Sequence, residues 1–161
     1  KNFEFHLNVA EELNKPLIIH CRDAFTDVFD ILSSNDANNP IILHSWTGGN
    51  KWTKRFVELG VYFSISGIIT YDTAHDLQAA VTKIPRDRLL LETDVPYLSP
   101  QPFKGKKNNP TYIKYTGAKV AELLNLTPNE LSEITISNTD KVMNRDIYEW
   151  IFLDRKVKWK T

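Results

Sequence analysis

With one cysteine, Cys21, in 161 residues, the chain has no partner for an intrachain disulfide. A single thiol suits a reducing compartment, from which a cytoplasmic location is the expectation. No apolar run approaches the length of a membrane span, and the first residues lack a basic-then-apolar leader pattern. Charge of one sign is also lacking in excess: Lys plus Arg number 20 and Asp plus Glu number 20. No global field therefore gathers polyanions or an anionic membrane, and any charged partner must be held by a local patch. The length allows one domain with a real apolar core, so neither metal nor disulfide staples are needed for folding.

What is present is an alternation. Residues 2–14 carry Phe3, Leu7, Ala10 and Leu13 at helical spacing, and because the chain opens at Lys1 inside that pattern, a preceding segment is expected. "PLIIH" (16–20) reads as a buried strand. Asp23 is placed to cap a helix with Phe25, Val28, Phe29, Ile31 and Leu32 on its apolar face, before the breaker run "SSNDANNP". The unit then recurs: strand "PIILH" (40–44), loop "SWTGGN", helix 51–59 up to Gly60, strand "VYFSIS" (61–66), helix 73–83 and strand "RLLLETD" (88–94). Strand–helix alternation of this kind predicts a parallel sheet with helical crossovers. A long loop, 95–109, interrupts it. Two helices follow, 110–125 with Pro110 at its start and 128–137 after a Thr127 cap. Residues 144–161, with their mixed aromatic and basic composition, form a tail to which the sequence assigns no role.

His20, His44 and Asp94 each end an apolar run. In parallel α/β folds the carboxyl ends of all strands lie on one face, so these side chains are expected to converge in one cleft. Two imidazoles and a carboxylate form part of a shell for Zn²⁺, Mn²⁺ or a related ion. Glu92 lies two residues before Asp94 on the same strand face, placed to orient or hydrogen-bond while Asp94 ligates. His6 and His75 fall in helices and read as boundary residues. Between Val95 and Ala121 no acidic residue occurs, while Lys104, Lys106, Lys107, Lys114 and Lys119 do. That segment starts beside Asp94, where lysines and asparagines would meet an entering phosphate.

Taken together, "HCRDAFTDVFDIL", "IILHSWTGG", "YFSISGIIT", "IPRDRLLLETDVPYLSP" and "KGKKNNPTYI" resemble the TatD family of metal-dependent deoxyribonucleases. The resemblance runs from Phe3 to about Met143, giving a domain over 1–143. It implies a (β/α)8 TIM barrel of the amidohydrolase-like type, here incomplete and lacking the first strands. It also implies His20, His44 and Asp94 as ligands of one or two divalent ions (Mg²⁺, Mn²⁺ or Zn²⁺), with Asp94 taking a proton from the nucleophile. DNA is the implied substrate, held by Lys104, Lys106, Asn108 and Arg22, with Ser66 and Gly67 flooring the pocket. The family's opening H-x-H pair and its G-E-I/T-G-L-D run have no counterpart in this sequence, and its R-G-K-x-N-E-P reads "KGKKNNP". A barrel takes about 250 residues, so about a third is expected from a preceding segment or a partner chain. Alone, the chain is not expected to be a competent nuclease. Two other readings stay open at this stage: hydrolysis of amides, esters or lactones by the same ligands, and a non-catalytic fragment acting through a partner.

Overall fold

The computed structural model describes residues 2–35 and 38–143. The tail at 144–161 lies outside the described residues. Four short strands, β1 (Leu17–His20), β2 (Ile41–His44), β3 (Tyr62–Ile65) and β4 (Leu89–Leu91), form one parallel sheet in the order β1-β2-β3-β4. Helices α1 (Asn2–Glu12), α2 (Phe25–Ser33), α3 (Asn50–Glu58) and α4 (His75–Val81) alternate with them, and α5 (Ile113–Leu123) and α6 (Pro128–Val142) follow β4. This is the architecture of a TIM-barrel-type α/β fold in which the sheet does not close: among the described residues β1 and β4 each have one strand neighbour.

Side-chain alternation splits the sheet into two faces. Ile19, Leu43, Phe63, Ile65 and Leu89 point to the helix-covered side and meet Leu7, Leu32, Phe56, Leu77, Val81, Val120 and Leu131. Complete burial of a side chain such as Phe56 or Phe63 contributes about 1.5–3 kcal/mol. On the other face Ile42, Tyr62 and Leu90 form a smaller cluster with Val142. That face thins toward β1, where Ile18 is 60% exposed although its register partner Ile42 is buried.

The elements end where local chemistry stops them, and three ends differ from the sequence expectation. Asp23 does not cap α2: the chain turns sharply off β1, Asp23 takes φ +55°, and Ala24 occupies the cap position without a side-chain bond. The exposed Asp23 carboxylate instead faces Arg22 Nε at 3.8 Å. β4 stops at Leu91 rather than at Asp94; Glu92 N still donates to Ile65 O, but Asp94 leaves the ladder with φ +56°. α6 runs to Val142, past Ser137, because Leu131, Thr135, Asn138 and Val142 keep one buried stripe.

The start of α6 is a capping box. The Thr127 hydroxyl accepts from Glu130 N, and the Glu130 carboxylate accepts from Thr127 N at 2.7 Å and from its hydroxyl at 2.8 Å. The Thr127 backbone and side-chain hydrogen bonds hold the Glu130 pKa below its usual range. A depressed carboxylate stabilises above its unfolded pKa and loses that contribution as pH falls through the folded value. Thr127→Ala is expected to cost about 1 kcal/mol in urea unfolding, with part of the difference from the parent vanishing in acid. Equal midpoints at neutral pH would show that the cap is dispensable.

Candidate metal centre

β1 and β2 pair in parallel with His20 directly opposite His44. Both rings therefore emerge at the carboxyl edge of the sheet, with centroids 5.6 Å apart and planes at 43°. Next along the edge, Ser66 directly follows β3, and its hydroxyl lies 2.7 Å from that of Ser45 in a buried contact. Glu92 follows on the far side, one step beyond β4.

His44 is the centre of the group. Its Nδ1 lies 2.9 and 3.0 Å from the two Glu92 carboxylate oxygens. An ionised carboxylate only accepts, so Nδ1–H donates to Glu92, and in the tautomer that binds a metal Nε2 carries the lone pair. That lone pair faces Asp94 Oδ1 at 3.5 Å. Two electron-pair donors thus oppose each other at a separation close to the roughly 3.3 Å edge of a tetrahedral shell built from bonds of about 2.0 Å. A carboxylate behind an imidazole that faces a second ligand is the arrangement by which metal-binding histidines are oriented. In addition, Glu92 Oε1 is buried with no partner of hydrogen-bond geometry despite its nearness to His44. Such an oxygen adds negative charge with little compensation, which favours a cation at the site. The donor set therefore fits a divalent ion.

Among the described residues, His44, Glu92 and Asp94 are the group whose candidate ligand atoms all lie within 4.8 Å of one another. The expected trio was His20, His44 and Asp94. His44 and Asp94 come together as expected, Glu92 takes the third place, and the exposed His20 stands beside His44 without joining the cluster.

Asp94 reaches the site because its turn is clamped. Tyr97 N donates to Asp94 O at 2.8 Å. Beneath, Gly67 lets the chain at Leu98–Pro100 approach so closely that a Cβ there would lie 2.2 Å from the Leu98 carbonyl. Gly67 is therefore required by close approach, and the Ser66–Gly67 floor is a contact between backbones.

Asn108, expected at the substrate, is placed differently. Its side chain is buried, its amide nitrogen donates to the carbonyls of Thr93 and Tyr97, and its carbonyl accepts from Asn109 N at 2.8 Å. With those groups already paired, Asn108 shapes the loop and presents nothing to a ligand. The exposed Asn109 caps the short turn that follows, its side-chain oxygen accepting from Thr111 N and Oγ1 at 2.9 Å each. Lys104 and Lys106 remain exposed. Lys104 Nζ sits 4.4 Å from the Tyr71 ring centre, and the Tyr71 hydroxyl donates to Ser99 O at 2.9 Å. Burial pushes the Tyr71 pKa up. Arg22 is 81% exposed and is paired only loosely with Asp23. Cys21 is buried, and desolvation pushes its thiol pKa up against a smaller opposing hydrogen bond from Ala24, so it behaves as a small core residue. A 450 Å³ cavity between α5, α6 and β4 is lined mostly by apolar groups, including Leu91, Leu131 and Ile136, and contains none of these ligands.

An open parallel sheet with helical crossovers and an imidazole–carboxylate cluster at its carboxyl edge defines a metallohydrolase-like half of an α/β barrel. The family follows from comparison: residues 1–144 match the TatD related DNase family, and the chain belongs to it. It is 39% identical over 141 residues to a Bacillus subtilis protein named uncharacterized metal-dependent hydrolase YabD, covering 87% of this chain and 55% of that one. A Mycobacterium tuberculosis protein, uncharacterized metal-dependent hydrolase TatD, is 40% identical over 136 residues, covering 84% and 52%. The crystal structure of YJJV, a TatD homolog from Escherichia coli, superposes with a TM-score of 0.83 at 28% identity, covering 88% of this chain and 54% of that one. The chain thus spans about half the length of the relatives it matches, where barrel size alone had suggested two thirds.

Proposed function

We propose that the protein contributes the C-terminal half of a metal-dependent hydrolase that cleaves phosphodiester bonds in DNA. The observation that carries this is the His44–Asp94 donor pair, backed by Glu92, at the mouth of a loop with exposed lysines and no acid. His44 Nε2 and Asp94 Oδ1 hold the ion, with His20 adjacent to contribute to the same edge or to a second ion. Imidazole and carboxylate together suit Zn²⁺ or Mn²⁺, with Mg²⁺ as the harder alternative. The bound ion supplies Lewis acidity toward a phosphoryl oxygen and makes water acidic enough to ionise near neutral pH. Glu92 fixes the His44 ring and its tautomer. Asp94, a quarter exposed, accepts the proton that the attacking water releases. Lys104 and Lys106 neutralise the phosphate chain. The free edges of β1 and β4 are paired by further strands from a preceding segment or a partner chain, which also covers Ile18.

The test combines metal content with hydrolysis of single-stranded and double-stranded DNA by the assembled protein, alongside ester, amide and lactone substrates. Release of nucleotides that depends on metal supports the reading. Turnover confined to the other substrates moves the site to that chemistry and ends the nuclease assignment. For the loop, Lys104→Ala with Lys106→Ala is expected to weaken single-stranded DNA binding and to flatten its salt dependence by about 0.7 log unit per lysine. Metal affinity is expected to stay unchanged, and an unaltered salt slope would leave these lysines as plain surface.

A further inference from the structure

We infer that Tyr97 is a stacking platform for one nucleobase of a single-stranded substrate, a role that rests on the nucleic-acid reading above. The reasoning starts from an asymmetry between its backbone and its side chain. The backbone is among the most tightly held in the loop: its N–H donates to Asp94 O, and its carbonyl accepts from the buried Asn108 amide. The next residue, Leu98, takes φ +55° and packs its carbonyl against Gly67. Yet the Tyr97 side chain is 70% exposed, the largest exposure among the big hydrophobic side chains of the described residues. The core of the described residues does not include this ring. An aromatic ring left in water on a rigid turn is, however, pre-organised to bind, because little conformational entropy remains to be lost.

Its neighbours decide what it binds. Three residues before it stands Asp94 of the metal group, and the same 93–97 turn is tied through Asn108 to the loop that carries Lys104 and Lys106. A ligand spanning these features needs an anionic phosphate for the lysines and the ion, and a flat apolar face for the ring. An unpaired nucleotide has both. Bases within a duplex are already stacked on each other and present no free face. Single-strand binding surfaces combine this same pairing of basic groups and aromatic rings, and each stacked base is worth roughly 1–3 kcal/mol. The companion rings do not compete for the role: Phe103 and Tyr112 stack on each other at 4.1 Å, and the Tyr71 face is covered by Lys104.

The experiment uses the assembled protein of the hydrolysis assay above with Mn²⁺ and a single-stranded hexanucleotide joined by phosphorothioate linkages to resist cleavage. One version carries the fluorescent base 2-aminopurine at a chosen position; the other is abasic there. Binding of the first is expected to quench its fluorescence. Tyr97→Ala is expected to weaken it by roughly 5- to 150-fold and to abolish the quench. Tyr97→Phe should retain both, and the abasic strand should bind the parent and Tyr97→Ala equally. If Tyr97→Ala binds the fluorescent strand like the parent, or weakens the abasic strand to the same degree, the stacking role is wrong while the phosphate reading stands. If the parent binds neither strand, the nucleic-acid reading fails and takes this inference with it.

Discussion

Asp94→Asn is expected to remove specific divalent-ion binding while leaving the fold in place. Asparagine keeps the size of the side chain and tolerates the left-handed backbone at φ +56°, so the turn does not need to change. What disappears is the anionic oxygen opposite His44 Nε2 at 3.5 Å. Loss of a group that merely orients a ligand costs about 10- to 100-fold in metal affinity. Removal of a ligand must cost more than that, so the titration heat with Mn²⁺ or Zn²⁺ should fall to the level of a chain without a site. Glu92→Gln should stay within that 10- to 100-fold loss, because His44 can still donate Nδ1–H to the amide oxygen while the charge behind the ring is lost. Titration of Asp94→Asn at the parent's affinity would remove Asp94 from the site and return the assignment to the histidines.

Trp46→Ala is expected to be the most destabilising single change at the site's support. Trp46 is 1% exposed, two residues after His44, and its ring makes edge contacts with Phe25, Phe56 and Phe63, each at a centroid distance of 5.3 Å. Its indole N–H donates to the buried Thr53 hydroxyl at 2.8 Å. Truncation combines a cavity of about 3–5 kcal/mol with loss of the donor to a buried hydroxyl that is left with only its 3.3 Å bond to Gly48 O. Trp46→Phe separates the two contributions, filling much of the cavity without restoring the hydrogen bond. In urea unfolding the phenylalanine variant should lie between parent and alanine, nearer the parent. Near-parent stability of Trp46→Ala would mean that the four-ring cluster repacks freely and is not what fixes the His44 turn.

These expectations show which parts of the molecule sequence alone displays. The strands of the alternation are legible because each combines a run of branched apolar residues with a polar terminus, and a parallel sheet needs both faces covered. His44 and Asp94 are legible for the same reason, since strand ends share an edge. The role of Glu92 as the third member is hinted at by its two-residue spacing from Asp94, although that hint assumed a continuous strand. In fact β4 ends at Leu91, and the two carboxylates meet through a left-handed turn that no hydrophobic period encodes. Asp23 has the composition of a helix cap but sits one residue too early, where the exit from β1 dictates its conformation. Asn108 and Asn109 look like polar loop residues available to a ligand. Only the folded loop shows that backbone groups have already claimed the buried Asn108 and that Asn109 caps the next turn, because buried carbonyls and amides must be satisfied.

The clamping of the 93–97 turn has an evolutionary consequence. The turn that carries Asp94 is held by Asn108, which donates to the carbonyls of Thr93, Pro96 and Tyr97, and Gly67 admits the chain just after it at Leu98–Pro100; neither contact involves the residues at 103–107. The apex of the loop, with Lys104 and Lys106, can therefore change without shifting the turn of Asp94. In the proposed hydrolase, metal retention and substrate choice become separately mutable properties of one short segment. A lineage of such hydrolases could then explore new substrates at the apex while a single glycine and a single asparagine hold the course of the backbone on either side of Tyr97.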